Sequence, residues 1–558
     1  MKRLLYIFLI LCLPVAVSAQ VAKQVEVTKD YTPSVSTAQK MSILPDMTDT
    51  VTMRPDIDYT ITPRSYETSL MTRNFKPATI TYWDYNNTRP LYVSAAMGAP
   101  LQSEADVYLS TFNKDKGYAM AYANHWGDYR NRHNLLGELV KSKTAEMSNR
   151  IGGRAGLIWG RRLLEVDIYG DHQLRHRYPT TGAKVQFGSM QGKIRLGDDF
   201  TDLSRWNFNV EVGGGFFLDG KNVSAANQSN LNAKAAVGKM LGRHLFKLHV
   251  EYLGAFGAKS IDVYNNNTLM AGMRYGFSGK RLEFVLGADY YYDKVAESVD
   301  SPHHIFPSLK MTWKNSEQTF VPYVEVDGGI KRHDFASLKY ANPFLATTGD
   351  TGVKLASSPN ESVYNGRIGI GGVLGRGVFS YNLSAELSFA NDHFYWYSYG
   401  ADYYFTSAYQ HSLRIDGSVL LRPSSWFEAE LKAGVYAWEN YDNHYSNRPN
   451  FETALKLSFI ARRFTADVNL AYRGGIKWMT LAEVESDGNY EMSAPPTLEF
   501  SHVKTDNELT LGLYAEYRIN NRWGVYAEGR NLTGSKVYEW LGYYRDSAEG
   551  LLGVKFTF

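Results

Sequence analysis

Acidic side chains that could take part in proton transfer recur along the chain. They stand at alternate positions of short segments, as in "LEVDI" (164–168), where two carboxylates could share acid–base work. The other interpretation is that they solvate or cross-link a wet interior. The residues concerned are Glu165, Asp167, Glu211, Glu251, Glu428, Glu430 and Asp467. The sequence contains no Gly-x-Ser-x-Gly, His-Glu-x-x-His or Walker motif, so it predicts a protein that is not an enzyme.

Metal and cofactor chemistry has equally little support in the sequence. His303 and His304 are adjacent, but no further ligands follow at a useful spacing. Cys12 is the only cysteine, and it lies in an N-terminal segment that we expect to be removed. The sequence therefore predicts neither a metal site nor a cofactor.

A cluster of aromatic residues is the best candidate for ligand contact. The stretch "HFYWYSYGADYYF" (393–405) is the densest aromatic run in the chain, and flat rings can stack on an apolar ligand or on the face of a sugar. An aromatic belt at a membrane boundary and an extra hairpin rising above the membrane are the competing interpretations. The candidate ligand-contacting residues are Phe394, Tyr395, Trp396, Tyr397 and Tyr399.

The first 19 residues have the form of a secretory signal peptide. Lys2 and Arg3 precede an apolar run of about 14 residues, and the small residues Ser18 and Ala19 mark the cleavage site. Removing Lys2 and Arg3 lowers the formal net charge from +3 to +1. A nearly neutral chain lacks the concentrated basic surface that nucleic acids require, so we expect no nucleic-acid partner.

From residue 89 to residue 558 the sequence is built of short alternating segments. In "LFKLHVEY" the apolar Phe246, Leu248 and Val250 alternate with polar residues, which places the two kinds on opposite faces of a strand. Tight polar turns such as "LGRH" (241–244) alternate along the chain with long loops rich in Asn, Asp, Tyr and Ser, among which we count residues 391–408. This regular alternation is typical of a transmembrane β-barrel, and it gives about 22 strands. We therefore predict an all-β fold, a transmembrane antiparallel barrel that spans residues 89–558.

Residues 20–88 have a different pattern. Five prolines recur through this stretch, at positions 33, 45, 55, 63 and 77. Proline removes a donor from a β-ladder, so we expect an extended Pro-containing N-terminal segment with little regular sheet, placed in the periplasm or in the barrel lumen.

The last part of the chain, "RWGVYAEGRNLTGSKVYEWLGYYRDSAEGLLGVKFTF", resembles the closing hairpin of the TonB-dependent receptors. The pair Asn531 and Leu532 matches the end of the penultimate strand of that family. Gly553, Phe556 and Phe558 match the C-terminal signal by which the outer-membrane assembly machinery selects its clients, whereas Leu551 stands where a polar residue is usual. The resemblance implies a barrel near 22 strands and uptake across the outer membrane. These receptors also carry a plug domain, for which residues 20–88 are too short.

The resemblance also suggests a candidate energy-coupling box near the start of the mature chain. It comprises Gln24, Val25, Glu26, Val27 and Thr28. The alternative is an ordinary extended strand. We therefore expect a barrel in the outer membrane of a Gram-negative bacterium that mediates uptake or passage of a solute. A passive porin and a non-transporting barrel subunit of an outer-membrane complex are the alternatives. The expected partners are outer-membrane lipid, the barrel-assembly machinery and either a periplasmic energy-coupling protein or another outer-membrane protein.

Overall fold

The structure is a computed structural model that describes most of residues 90–558. Within that range the residues left undescribed are 114–115, 135–136, 142, 180–181, 199–203, 221–225, 296–301, 316, 347–359, 400–401, 440–443, 445–446 and 485–496. The predicted signal peptide, the segment 20–88 and the candidate coupling box Gln24 to Thr28 lie outside the described residues and stay predictions.

Strands dominate the described part of the chain. In chain order they are β1 Leu91–Ala99, β2 Gln102–Asn113, β3 Gly117–Asp128, β4 Glu146–Trp159, β5 Arg162–Arg177, β6 Ala183–Asp198, β7 Asn207–Asp219, β8 Asn227–Leu241, β9 His244–Gly257, β10 Asn266–Ser278, β11 Leu282–Val295, β12 His303–Trp313, β13 Val321–Lys331, β14 Glu361–Leu374, β15 Phe379–Tyr399, β16 Asp402–Ser424, β17 Phe427–Glu439, β18 Phe451–Ile460, β19 Phe464–Gly474, β20 Lys477–Val484, β21 Thr497–Lys504, β22 Glu508–Arg518, β23 Trp523–Arg530, β24 Val537–Trp540, β25 Tyr543–Arg545 and β26 Glu549–Thr557. One α-helix, α1, spans Phe335–Ala341, and 3-10 turns span Lys259–Tyr264 and Gly375–Gly377.

The strands close into a cylinder. Each strand from β1 to β19 pairs with the next, β19 then pairs with β22, β22 with β23, and β23 with β26. β26 returns to β1, with Tyr92 opposite Thr557 and Ala99 opposite Gly550. The cylinder has 22 antiparallel strands, which confirms the predicted fold and strand number. Because the last strand is paired on both sides, the closed sheet has no free edge here.

The alternating sequence of each strand places apolar side chains on the outer wall. Phe246, Leu248 and Val250 of β9 are exposed there, as are Leu552 and Val554 of β26. Lys555, between two outward positions, turns to the inside and pairs with Glu516. This two-sided wall is what a barrel surrounded by hydrocarbon and filled with water requires. Within the described residues, no helix is long and apolar enough to cross a membrane.

Connections at the two ends of the barrel differ in length, as the sequence predicts. One end holds tight turns such as Gly160-Arg161 and Gly242-Arg243, in which both glycines have φ of 62°. The left-handed backbone at these positions suits glycine and allows a two-residue hairpin. Most of the long connections gather at the other end, which we call the extracellular end. Leu91 and Phe558 meet at the turn end, where their backbones exchange hydrogen bonds of 2.9 and 3.3 Å.

One connection differs from the alternation of turns and loops inferred from the sequence. The stretch from residue 391 to residue 408 is not a loop, because β15 continues to Tyr399 and β16 begins at Asp402. The two strands stay paired up to Tyr399 and Asp402, with a bulge between Ala390 and His393. The aromatic run is thus the tip of a hairpin longer than its neighbours. This was one of the alternatives that the sequence left open.

Several elements at the extracellular end lie outside the cylinder. The hairpin β20–β21 adds to β15 through a short parallel pairing of Tyr397 with Met479. The hairpin β24–β25 forms a separate two-stranded sheet. α1 begins at a capping box. The Asp334 carboxylate accepts a hydrogen bond from the Ser337 backbone amide, and the Ser337 hydroxyl oxygen accepts one from the Asp334 backbone amide.

Candidate functional site

The luminal wall carries charges of both signs, mostly as neighbouring pairs. Lys555 Nζ lies 2.7 Å from Glu516 Oε2, and Arg530 Nη1 lies 2.5 Å from Glu104 Oε1. Four of the acidic residues singled out in the sequence have a basic partner: Arg154 for Asp167, Lys234 for Glu251, Arg422 for Glu428 and Lys432 for Glu430. Glu165 and Asp467 instead accept hydrogen bonds from the hydroxyls of Tyr118 and Ser458. Glu211 stands opposite Lys234 in the β7–β8 ladder. The wall is thus polar without one dominant sign of charge.

The adjacent histidines take ordinary places in a strand. The His303 ring Nδ1 and the Tyr290 hydroxyl are hydrogen-bonded at 2.6 Å, and the two rings stack. The His304 ring stacks on Phe306. Among the residues that the structure describes, no group of three or more His, Cys, Asp or Glu side chains is arranged to hold a metal ion.

The Asn-Leu pair forms the turn that follows β23. Asn531 has φ of 46°, a left-handed conformation that asparagine tolerates better than most residues. Its side-chain amide donates to the carbonyl of Ser535 at 2.8 Å and holds the turn closed. The Leu532 amide donates to the Leu511 carbonyl at 2.8 Å, which ties the turn to β22. These bonds give a local physical reason for asparagine at 531, whereas the bond at 532 is made by the backbone and the Leu532 side chain lies over Gly529.

The final strand lies at the seam of the barrel. Phe556 packs on Trp523 with ring centroids 4.6 Å apart, and the Arg522 guanidinium lies 4.9 Å from the Phe558 ring centroid. Gly553 stands opposite Tyr526, whose ring covers the space that a side chain would fill. Leu551, the residue that departs from the family pattern, is 2% exposed and packs with Ala96 and Tyr526. An apolar residue therefore fits this position of the seam.

The candidate aromatic residues are for the most part packed inside the extracellular end. Tyr395 is 1% exposed, and its ring lies 5.2 Å from that of His444. Phe394 and Trp396 pack against Phe405 across the hairpin. Tyr397 stacks on Tyr404 and meets the edge of Phe500. Tyr399, at the tip, is the member of the set that remains exposed. Their predicted contact with a ligand stays a prediction.

α1 packs on residues from distant strands. Phe335 of α1 meets Phe217 edge to face at 5.8 Å, and Leu338 belongs to the same buried cluster. Phe217 lies on β7, whereas α1 follows β13, so strands β8 to β12 stand between them in the ring. The contact therefore reaches across the mouth of the barrel.

The residues after α1 make a second crossing. Phe344 stacks on Tyr543 with ring centroids 3.6 Å apart, and Tyr543 meets Tyr178 edge to face at 5.0 Å. Tyr178 follows β5 and Tyr543 precedes β26. Leu345 forms a parallel bridge with Tyr403 of the long hairpin. We call these packed elements the extracellular cap: α1, residues 342–346, the hairpin tip 393–405 and residues 537–545.

A buried network of charges joins two other connections near the cap. Asp128 is 0% exposed and accepts hydrogen bonds from both Arg130 and Arg132. Arg130 also reaches Glu549 at 2.6 Å, and Arg132 reaches Glu146 at 3.3 Å. The network ties the connection after β3 to the start of β26. Since all five side chains are nearly inaccessible, each charge depends on its partners.

His333, at the base of α1, provides a pH-dependent contact of the cap. Its ring stacks on Phe394 at 4.6 Å, and burial lowers its pKa to about 4. The charged and titratable groups facing it are Glu361, Lys331, His393 and Asp334. If the cap opens, the ring regains its ordinary pKa of 6.5. Between pH 6.5 and pH 4 the open form therefore binds a proton that the closed form does not, so the closed cap loses stability as the pH falls.

We expect acidification from pH 7.5 to pH 4.5 to weaken the cap by up to about 2–3 kcal/mol through His333 alone. The measurement is the rate of protease cleavage within residues 332–346 of the protein in lipid vesicles, with a protease active across this range. His333→Gln should flatten this pH dependence, whereas His244→Gln, at the turn end, should leave it intact. An equally steep dependence in His333→Gln would assign the effect to another group.

The sequence gives only weak signs of the cap. The sequence shows "SLKYANPF" only as part of a long loop. Its start is a weak helix signal, because the third residue after the N-cap Asp334 is Ser337 instead of the usual Glu or Gln. Phe344 and Tyr543 are far apart in the chain and no pattern links them. The buried network is likewise hidden, because Arg130 and Arg132 read as ordinary loop residues.

Comparison with known proteins supports the same architecture. No protein-family model and no curated protein matches the sequence. Solved structures do match: the siderophore receptor PirA from Acinetobacter baumannii has a TM-score of 0.63 at 10% identity, covering 84% of this chain and 81% of that chain. The FrpB iron transporter from Neisseria meningitidis has a TM-score of 0.62 at 11% identity, covering 85% and 82%. The copper transporter OprC has a TM-score of 0.59 at 12% identity, covering 84% and 80%.

At these identities the likeness shows the fold. The chain has the barrel fold of the TonB-dependent receptors, which confirms the resemblance drawn from its closing hairpin. The similar structures are described as transporters and receptors, not as enzymes.

Proposed function

We propose that this chain forms a gated pathway through which a polar solute is taken up across the outer membrane. The observation that carries the proposal is the extracellular cap, whose contacts join connections from separate parts of the ring over a polar lumen. A mouth bridged by packed aromatic residues has to open before a solute can enter. The cap is therefore the gate, and the paired charges of the wall line the path behind it.

The similar structures support uptake as the direction of transport. They are described as iron and copper transporters and as a siderophore receptor. By analogy, the partners of this barrel are outer-membrane lipid and the assembly machinery, together with a periplasmic energy-coupling protein or another outer-membrane protein. The analogy rests on the fold and leaves the chemical identity of the solute open.

Two alternatives predict different behaviour. A passive porin needs a mouth that is open at rest, which the contact between Phe344 and Tyr543 opposes. A non-transporting barrel subunit needs no path through the lumen at all. Electrical conductance across a planar bilayer separates the three functions.

We expect the unmodified protein to be nearly silent in a planar bilayer and Phe344→Ala to conduct. Removing a buried Phe costs about 3–5 kcal/mol, which raises the open population by at least a hundredfold. Phe389→Ala, on the lipid-facing wall, is the matched control and should stay silent.

A further variant should carry Phe344→Ala together with Tyr92→Ala and Tyr122→Ala. These two substitutions remove aromatic side chains from the luminal wall at β1 and β3, so that a partner held against that wall does not hide the result. Steady conductance of the unmodified protein would support the porin. Silence of both Phe344→Ala and the triple variant, once protease cleavage within residues 332–346 shows that their caps are open, would support the non-transporting subunit.

A further inference from the structure

A strip of four tyrosines lines the lumen beside the seam of the barrel. Tyr92 of β1 stands opposite Tyr108 of β2, and Tyr108 stands opposite Tyr122 of β3. The ring centroids are 6.0 and 6.2 Å apart, and the second pair is stacked. Tyr122 stands opposite Gly152 of β4, which stands opposite Tyr169 of β5. We call Tyr92, Tyr108, Tyr122 and Tyr169 the tyrosine strip.

Gly152 makes the strip continuous. A Cβ at this position would lie 2.6 Å from Cζ of Tyr122 and 2.8 Å from Cβ of Tyr169. With glycine there, the Tyr122 ring lies over β4 and reaches towards Tyr169. The result is an aromatic surface that crosses five neighbouring strands, with the Tyr92 ring tilted by 51° from the Tyr108 ring.

The strip faces the interior of the barrel. Asn124 donates to the Tyr108 hydroxyl at 2.9 Å and to Asp106 at 2.6 Å, and all three belong to the luminal face. The alternate residues of the same strands, such as Leu109 and Ile151, are exposed on the outer wall. Tyr108 keeps 37% of its surface exposed within the lumen. Aromatic surface of this kind attracts an extended partner, because ring faces gain contact at little entropic cost.

The position of the strip indicates its occupant. β1 starts at Leu91, so residues 59–89 of the same chain lead directly to Tyr92 at the turn end of the lumen. The strip runs from β1 to β5 and so crosses four interstrand spacings, which makes it about 20 Å wide. When extended, residues 59–89 reach about 100 Å, so a short part of them covers it. Covalent continuity gives this segment a high local concentration, which an outside ligand lacks.

The chemistry of residues 59–89 fits an aromatic surface. Their sequence, "YTITPRSYETSLMTRNFKPATITYWDYNNTR", holds Pro63 and Pro77, and each proline holds the residue before it in an extended conformation. Extended proline-containing peptides bind aromatic-lined grooves, because the prolyl ring packs flat on the aromatic face. Phe75, Tyr82 and Trp83 add rings that can stack on the strip. The segment carries four basic and two acidic residues, and the luminal wall offers partners of both signs.

We propose that the tyrosine strip is the docking site of residues 59–89, which lie against it as an extended peptide inside the lumen. The barrel thus holds part of its own chain against its luminal wall on the periplasmic side, opposite the cap. This proposal does not depend on transport, since a non-transporting barrel could hold the segment in the same way.

Photo-crosslinking of the full mature chain tests the docking site. The photoreactive residue p-benzoylphenylalanine replaces Tyr108, and in a second protein Tyr169. The matched control places it at Tyr517, a lipid-facing tyrosine of β22. After irradiation in lipid vesicles, mass spectrometry of the peptides locates the adduct. Retention of fast gel mobility without heating shows that each barrel is folded.

We expect adducts with residues 59–89 of the same chain at both luminal positions and none at Tyr517. Adducts with lipid, with a solute or with another protein in place of the segment would overturn the proposal. So would folded proteins that give no adduct with the segment at either luminal position.

Limited proteolysis provides a second, independent measurement. Trypsin cleaves after Arg64 and Arg73 inside the segment, and docking should protect both sites. Tyr92→Ala with Tyr122→Ala should raise the cleavage rate by about tenfold, as expected for the loss of aromatic contacts, whereas Tyr517→Ala should not change it. Equal rates in the two variants would contradict docking on the strip.

Discussion

Replacing Arg130 by leucine is expected to lower the free energy of unfolding of the barrel by about 3–5 kcal/mol. The guanidinium lies between two carboxylates, 2.8 Å from Asp128 Oδ2 and 2.6 Å from Glu549 Oε1, and all three side chains are almost inaccessible. Leucine would fill much of the volume but leave Glu549 buried without its cation. Asp128 would keep only Arg132. Removing one partner of a buried ion pair costs more than the pair contributes, because the remaining charge is uncompensated.

The measurement is equilibrium unfolding in guanidinium chloride of the protein in lipid vesicles, followed by tryptophan emission. Arg162→Leu is the matched control, because Arg162 is mostly exposed and lies 3.8 Å from Asp198, so its loss should cost less than about 1 kcal/mol. Arg130→Leu combined with Glu549→Leu should recover part of the loss, since it removes the stranded carboxylate. A loss for Arg130→Leu no larger than that of the control would show that water reaches the network and replaces the pair.

The cylinder could be predicted from the sequence because its physical cause is local. Hydrocarbon outside and water inside force every strand to alternate, and Phe246, Leu248 and Val250 show this in any short window. The alternation of short and long connections then fixes the number of strands, since each pair of strands adds one of each kind. The fold and the strand number can therefore both be inferred without knowing which residues are in contact in the folded protein.

The extracellular cap could not be predicted for the opposite reason. Its contacts join residues that are distant in the chain, such as Phe344 with Tyr543 and Phe335 with Phe217. The sequence of the hairpin tip resembles that of a loop because both faces of the hairpin are covered. Tyr395 and Trp396 point to opposite sides and both are packed, so the segment shows no apolar–polar alternation. Where both faces of a strand are covered, period-two alternation is lost and only aromatic composition remains.

Gly553→Val is expected to remove most of the folded barrel. A side chain at residue 553 would overlap the Tyr526 ring, which is held by the Ser94 hydroxyl at 3.3 Å and lies 4.8 Å from Lys555 Nζ. The Tyr526 ring therefore cannot leave without breaking its luminal contacts. Overpacking of this kind costs about 1–3 kcal/mol. Here it also pushes β26 away from β23, and β26 is the strand that closes the cylinder against β1. The readout is the fraction of barrel that resists unfolding by detergent without heating.

Gly550→Val, on the same strand, is the control, because a side chain there would meet nothing within 4 Å. Combining Gly553→Val with Tyr526→Ala separates packing from recognition by the assembly machinery. If Gly553 serves only packing, the double variant should recover folding both in cells and on refolding into detergent. If Gly553 is read by the assembly machinery together with Phe556 and Phe558, the double variant should refold in detergent but remain unassembled in cells. A Gly553→Val protein that folds as well as Gly550→Val would contradict both roles, because a strand that tolerates a side chain beneath Tyr526 is not held tightly at the seam.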